Sequence, residues 1–505
     1  MKVSSLNSYS MNSPVLNKNF GGNVLKTSAF GKNDIRGIYG KDITEELFQN
    51  IGRGFTKWLE NKTGKSANNL KVTVATDVRL SSPALKEALI AGLTASGVTV
   101  LDIGAVPTPL GYYSEFALDD VSSAMIITAS HNPSEYNGLK MTFNRTTLEE
   151  DGLKEVKEYT EDVYSSEKPV KNESLVEKFN IIPKYKEYLV NLFGNVGKGV
   201  KVVTDCANAT AGVVAPQLYK ELGCEVVELY TEPDGRFPNH HPNPSVLSTL
   251  KDLQAKVLET KADVGIAFDG DSDRIGVVTN DGKPLTGDKL LLIYAQDILN
   301  NPQILNGEKL KVVSEVKSSQ VLFDAIDKQG GEAIISKTGH GYIKSKMRET
   351  GAQIGGEMSG HTFFKDRYFG FDDAIYAGCR IIEIISKNKK TDESFSLLKF
   401  LKPFDNVFTS QEVRYPCPNE NKKEVLQMIK DAVSENKDMF GDEIKDINTL
   451  DGMRIIFDGG FALIRQSNTE PVFTLRFEGK TEELCEQYQK ALIDKLDECV
   501  KKVNK

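Results

Sequence analysis

Strand, short polar loop, helix, glycine, second strand: this order occurs three times in the chain, and no other feature restricts the fold as strongly. KVTVATDVRLSSPALKEALIAGLTASGVTVLDIG, starting at Lys71, predicts a strand over Val72–Ala75, a helix from about Ser82 to Ser96, a stop at Gly97 and a second strand. Val200–Tyr230 repeats the order with Gly223 at the helix end, and Leu310–Ser336 repeats it with Gly330 and Gly331. Two strands joined by a helix form a βαβ unit, which commits a sheet to parallel pairing and places helices on its faces. Copies with matched internal spacing point to duplicated α/β domains.

The pattern changes after about Ser396. SLLKFLKPF is followed by strand-like TSQEVRY, a helix over about Lys422 to Glu435, short alternating runs (MRIIFDGG, FALIRQS, VFTLRFE) and an amphipathic helix from about Glu482. That mixture predicts a smaller α+β domain. The expected organisation is a disordered extension over 1–26, α/β domains over 27–180, 181–284 and 285–400, and the α+β domain over 401–505. The charged segment from Glu150 to Lys178 reads as a solvated helix and linker, and a second charged link lies near Lys387 to Glu393.

Length and charge bear on partners. A chain of 505 residues exceeds one core and suggests several domains. A formal charge of −8 and the lack of any basic run argue against nucleic acid, and no apolar stretch is long enough to span a bilayer. Cys206, Cys224, Cys379, Cys417, Cys485 and Cys499 show no paired spacing, so neither zinc nor a disulfide framework is signalled. The first 26 or so residues are rich in Ser and Asn without an apolar core or arginines, so a cytoplasmic protein is expected, with an organellar leader as the alternative.

Four short stretches carry chemistry. ITASHNP follows the apolar run AMII, which places Ser130 and His131 in a loop at a strand end, with Lys140 close behind in EYNGLK. In FDGDSDR, Asp269, Asp271 and Asp273 alternate, and an extended backbone would aim all three carboxylates to one side. Three close carboxylates are best reconciled by a hard divalent cation. An EF-hand is excluded, because Arg274 stands where the loop needs glycine and Asn280 where it needs glutamate. KTGHGYIK and GEMSGHTFF set His340, Glu357, Ser359 and His361 in glycine-flanked loops suited to hydroxyl recognition. FPNHHPNP, with His240 and His241, reads as structural. RQSNTEP offers Arg465, Ser467, Asn468 and Thr469 in one turn, a natural phosphate cradle. Arg36, in FGKNDIRGIYG, is by itself a surface cation.

TASHNP, DGDSDR, GEMSGH and RQSNTEP, in that order from about Ser28 onwards, closely resemble the α-D-phosphohexomutases, and the phosphomannomutase/phosphoglucomutase branch in particular. The resemblance implies three related α/β domains with mixed sheets plus a smaller C-terminal α+β domain around a central cleft. It implies that Ser130 is a phosphoserine and that Asp269, Asp271 and Asp273 hold Mg²⁺ together with a phosphoserine oxygen, Arg274 lying beside them. Glu357 and Ser359 would contact sugar hydroxyls, and Arg465, Ser467, Asn468 and Thr469 would grip the non-reacting phosphate. Arg36, Lys140, Lys317, His340 and His361 match the cationic and acid–base positions, with His131 beside the serine. Asn33 departs from the tyrosine common in this branch. The implied reaction interconverts hexose 1- and 6-phosphates through a hexose 1,6-bisphosphate in a monomer or small homo-oligomer. The rivals are a phosphoglucosamine mutase, a metal-dependent hydrolase and a non-catalytic sugar-phosphate sensor; glucose and mannose are not separated.

Overall fold

The computed structural model describes residues 25–467 and 470–503. All three units are present, each with parallel strands. Lys71–Thr76 and Thr99–Ala105 flank helix Ser82–Ala95, and Lys311–Glu315 and Glu332–Ser336 flank helix Gln320–Lys328. In the second unit, Lys201–Asp205 and Glu225–Leu229 flank a 3-10 turn, Thr210–Val213, and a short helix, Ala215–Glu221. Their registers begin at equivalent places, Lys71↔Thr99, Lys201↔Glu225 and Lys311↔Glu332. After each helix the chain reverses through a glycine with φ of +96° (Gly97), +94° (Gly223) or +89° (Gly330), a conformation that a Cβ would strain.

The sheets extend these units in one common way. On the far side of each unit's first strand lies a further parallel strand: Ser123–Ile127, Val264–Phe268 and Ile354–Gly356. The chain then returns as an antiparallel neighbour: Tyr136–Phe143, Ile275–Thr279 and Thr362–Phe364. The sheets are therefore mixed. The strands SAMII, VGIAF and IGG are buried throughout, the continuous apolar reading of strands covered on both faces. The connections from these strands to their antiparallel neighbours span residues 128–135, 269–274 and 357–361, and they carry the serine, acidic and sugar-loop motifs. The repeated topology places three different motifs at one topological corner.

One apolar core joins the three sheets, running through Ile126, Ile266 and Val312. The corners are thus held in a fixed relation by shared packing. The C-terminal region is α+β, as expected. Its antiparallel strands Ile444–Asn448, Met453–Phe457, Gly460–Gln466 and Val472–Gly479 pack against helices Asn419–Glu435 and Glu482–Val503. RQSNTEP lies at the turn between the last two strands. No helix among the described residues is long and apolar enough to cross a membrane.

Two segments differ from expectation. Helix Glu150–Asp162 is not solvated all round, because Leu153, Val156 and Thr160 form a buried stripe that packs beside helix Glu45–Thr63. The segment expected as a linker ends in a strand, Val176–Lys178, parallel to Thr99–Ala105. The high charge of that stretch masked three inward residues at helical spacing. The expected N-terminal extension lies outside the described residues up to position 24, and Leu25 is buried in the first core.

Candidate active site

Ser130 heads the first of the three corner connections. Its backbone is left-handed, with φ of 50°, a conformation that costs a non-glycine residue roughly 1–3 kcal/mol and must be held by its surroundings. Arg79, buried and paired with Asp77 at 2.9 Å, holds it by donating to the carbonyls of Ser130 (2.8 Å), Asn132 (2.7 Å) and Tyr136 (3.1 Å). The amide of Ser130 donates to Thr128 Oγ1 at 2.8 Å. So fixed, the Ser130 hydroxyl donates to Asp269 Oδ2 at 2.8 Å and lies 3.1 Å from His131 Nδ1. Burial, with Arg274 and Arg36 nearby, pushes the His131 imidazole well below its usual value.

The acidic connection faces this serine. It is a turn rather than the extended run expected: Ser272 has φ of 62°, and Asp269, Asp271 and Asp273 converge because the chain curls around them. Thr210 secures the turn through the Gly270 carbonyl (3.1 Å) and the Ser272 hydroxyl (2.9 Å). The approach to the serine is so close that a Cβ at Gly270 would stand 2.3 Å from the Ser130 carbonyl oxygen. All three carboxylates are buried, with ligand atoms within 4.8 Å of one another.

Lys140, on strand Tyr136–Phe143, spans two of the acids, at 2.8 Å from Asp271 Oδ2 and 2.5 Å from Asp273 Oδ2. Burial opposes its charge, but Asp271 and Asp273 outweigh that and hold the ammonium well above its ordinary value. Lys140 and Arg274, the latter 3.9 Å from Asp269, do not balance three acids. Burial, followed by Asp273 and Asp271, pushes the Asp269 carboxyl well above its ordinary value, and Asp271 Oδ1 and Asp273 Oδ1 are buried without a hydrogen-bond partner. Two orphaned carboxylate oxygens beside a destabilised third carboxylate and a serine hydroxyl fit an all-oxygen site for a small divalent cation.

The third connection closes on the second through an antiparallel bridge between Arg274 and His361. Arg274 Nε donates to His361 Nε2 at 2.9 Å, so that nitrogen carries a lone pair and the ring proton belongs on Nδ1. Nδ1 faces Asp372 Oδ2 at 3.0 Å, and Lys344 approaches Asp372 from the other side at 3.5 Å. Burial pushes the Asp372 carboxyl up, but Lys344 and His361 outweigh it and hold the group well below its usual range. The His340 ring lies 5.4 Å from that of His361, and burial and Lys344 push its imidazole well below its usual value. Glu357 accepts from the Gly339 amide at 2.7 Å and from Ser359 at 3.3 Å.

The expected residues therefore fall into groups. Ser130, His131, Lys140, the three aspartates, Arg274 and His361 are in direct contact, and Arg36 joins them through Asn132 at 2.7 Å. Lys317 does not reach the serine: it sits between Glu315 (3.7 Å) and Glu412 (3.2 Å). Arg465 bonds Asp451 at 2.9 Å, and the same Asp451 oxygen accepts from the Thr338 amide at 3.0 Å, tying the C-terminal turn to the loop that carries His340. Ser467 accepts from the Glu470 amide at 3.2 Å, whereas Asn468 and Thr469 lie outside the described residues. His240 is structural in its contacts, 3.0 Å from buried Asp205.

Sequence reasoning missed Arg79, Asp372 and Asp451. A signal existed for one of them. In FDDAIY, Asp373 caps helix Ala374–Lys389 by accepting from the Tyr376 amide at 2.9 Å, which leaves Asp372 as a second acid with no capping role.

Matches to known families follow the same four regions. Descriptions of phosphoglucomutase/phosphomannomutase alpha/beta/alpha domains I, II and III match residues 27–166, 183–282 and 286–399, and that of the C-terminal domain matches 412–495. A phosphomannomutase/phosphoglucomutase of Pseudomonas putida is 41% identical over 464 residues, covering 91% of this chain and 93% of its own. A phosphoglucomutase of Neisseria gonorrhoeae is 39% identical, with 91% and 95% covered. The crystal structure of a phosphoglucomutase/phosphomannomutase family protein from Burkholderia thailandensis superposes with a TM-score of 0.82 at 35% identity, covering 94% of this chain and 98% of that one. The chain belongs to the phosphoglucomutase/phosphomannomutase family of isomerases.

Proposed function

We propose that the protein interconverts the 1- and 6-phosphates of glucose, mannose or both, with Ser130 as the group that carries the phosphoryl between them. The observation that carries this reading is the 2.8 Å contact between the Ser130 hydroxyl and Asp269 inside a buried acidic trio. A serine hydroxyl is a poor nucleophile, so the resting enzyme is phosphorylated on Ser130. Asp269, Asp271, Asp273 and a phosphoserine oxygen would hold Mg²⁺, which when bound neutralises charge on the transferring phosphoryl group.

In the first half-reaction the Ser130 Oγ–P bond breaks and a bond forms between that phosphorus and a free sugar hydroxyl oxygen. The sugar hydroxyl gives up its proton and Ser130 Oγ takes one up as its bond to phosphorus breaks, with Lys140 and His361 as the proton-transfer partners and Lys140 and Arg36 balancing the negative charge near Ser130. The resulting hexose 1,6-bisphosphate turns over in the cleft. In the second half-reaction the Ser130 hydroxyl gives its proton to the same partners and bonds to the other phosphorus as the bond from that phosphorus to the sugar oxygen breaks; the sugar oxygen takes up a proton, which restores the phosphoenzyme and leaves the isomeric monophosphate. No water or redox partner enters the balance. Glu357 and Ser359 orient sugar hydroxyls, Lys317 and His340 line the route between the loops, and Arg465, Ser467, Asn468 and Thr469 hold the phosphate that is not reacting. The four regions 27–180, 181–284, 285–400 and 401–505 act as the domains of this cleft, and the last closes on substrate.

A coupled assay with Mg²⁺ and a trace of hexose 1,6-bisphosphate, run over glucose, mannose and glucosamine phosphates, tests the reading. Turnover on glucose or mannose phosphates is expected, turnover on glucosamine phosphate alone would move the protein to the rival mutase, and turnover on none removes the proposal. Ser130→Ala must abolish activity; a variant with full rate removes the nucleophile.

A further inference from the structure

A cavity of about 310 Å³ lies outside the three corner connections. Helix Thr108–Ala117 and the turn leaving strand Tyr136–Phe143 form one side of it, and helix His340–Thr350 with residues 365–371 forms the other. Four cationic side chains line it: Arg145, Lys344, Arg348 and Lys365. In a chain with 63 basic and 71 acidic residues such a convergence departs from the average surface. Arg145, Arg348 and Lys365 are exposed, but like charges facing one cavity raise the local concentration of anions there.

Among the described residues, the Arg348 and Lys365 side chains make no hydrogen bond or ion pair. Arg145 donates only to the Glu115 backbone carbonyl at 3.3 Å and lies over the Phe116 ring at 4.8 Å. Lys344 is 7% exposed; its ammonium bonds Thr147 Oγ1 at 2.9 Å and reaches Asp372 only at 3.5 Å. Glu115 is the one acid in the lining, and burial pushes its carboxyl up to about 7, so it is a weak competitor for these cations. Phe116, Phe369 and Phe371 add an apolar part to the lining, with the first two rings 4.4 Å apart.

We propose that this cavity is a second anion site, which takes a small phosphate ester or diphosphate whose compact organic part rests on the phenylalanines. Three cations with no carboxylate in ion-pair contact among the described residues select a polyanion over a monocarboxylate, because a single negative charge would leave most of them unbalanced. Planar Arg145 and Arg348 suit paired hydrogen bonds to phosphoryl oxygens. The volume is at the lower end of small-molecule sites, about 300 Å³ and upward. No residue of the serine, acidic, sugar or C-terminal turns lines the cavity, and Lys344 is its one link to Asp372, so the inference does not rest on the mutase reading.

The test is calorimetric titration of the full chain with inorganic pyrophosphate at fixed ionic strength. Wild type is compared with Arg348→Ala/Lys365→Ala and with Arg465→Ala, each checked for an unchanged unfolding midpoint. Two sites per chain are expected in wild type. The double Ala variant weakens one of them at least tenfold, Arg465→Ala leaves that one intact, and Arg348→Lys/Lys365→Arg, which keeps both charges without the Arg348 fork, binds more tightly than the double Ala variant and more weakly than wild type. A wild type with no more than one site, a double Ala variant that keeps both, or heat reproduced by sodium chloride at the same ionic strength overturns the proposal.

Discussion

Replacing Asp372 by Asn keeps the volume of the side chain and removes its charge, which isolates what that carboxylate does for His361. In the native arrangement Arg274 donates to His361 Nε2 at 2.9 Å, and the proton on Nδ1 faces Asp372 at 3.0 Å. An asparagine can offer an amide N–H or a neutral carbonyl there. The first favours the opposite tautomer, whose Nε2–H opposes the Arg274 donor, and the second keeps the tautomer with a weaker partner. The loss is that of a buried charged neighbour 3.0 Å from Nδ1, on the scale of a contact to a charged group, about 1.5–3 kcal/mol. At about 1.4 kcal/mol per factor of ten, kcat should fall by roughly ten- to a hundredfold, with little change in KM. Lys344, 7% exposed, also loses its carboxylate neighbour, so stability should drop too. Combining Asp372→Asn with Lys344→Met separates the effects: removing the unbalanced cation recovers stability and leaves the rate low. The ¹⁵N shifts of the His361 ring report its tautomer directly. An Asp372→Asn enzyme within twofold of native kcat, with an unaltered imidazole spectrum, would refute the reasoning.

Three further outcomes follow from the geometry. Gly270→Ala puts a Cβ 2.3 Å from the Ser130 carbonyl and should cost about 1–3 kcal/mol in urea unfolding while lowering kcat by about tenfold or more, because serine and acids are pushed apart. Asp451→Ala frees Arg465 from the Thr338 loop; about 1 kcal/mol of lost hydrogen bonding predicts a KM for hexose phosphate raised by roughly five- to tenfold with kcat largely kept, and an unchanged KM would reject the link. Burial pushes the Asp373 carboxyl from 3.8 to about 6, so its contribution to stability is fully present below pH 3.8 and is lost as pH rises to about 6, about 3 kcal/mol in all. Asp373→Asn retains a helix-capping side chain and should flatten that part of the stability profile measured by chemical denaturation between pH 4 and 6.

Much of this architecture was legible because its cause is local. The units starting at Lys71, Val200 and Leu310 were readable from apolar runs, helical spacing and a terminating glycine, all of which act within a few residues. Ser130, the aspartates and His361 were legible as motifs, but the geometry that joins them was not. The aspartates converge through a turn held by Thr210, sixty positions away from Gly270, and not through the alternation of a strand. Arg79 was hidden for the same reason: its role depends on carbonyls more than fifty positions downstream. Asp372 and Asp451 owe their importance to partners on other elements, which charge pattern alone does not reveal. Helix Glu150–Asp162 shows the opposite error, in which many charges concealed a narrow buried stripe.

That three separate tasks occupy the same corner of three sheets has an evolutionary consequence. Each connection is only a few residues long and hangs from strands locked into a common interior, so one task can change while the other two keep their form. On the proposed function, residues 357–361 can drift toward a different sugar without loosening the phosphoryl chemistry proposed for residues 128–135 and 269–274. A lineage built this way can diversify what it recognises while conserving what it does, and grafting that single loop between relatives is the shortest path to a new preference.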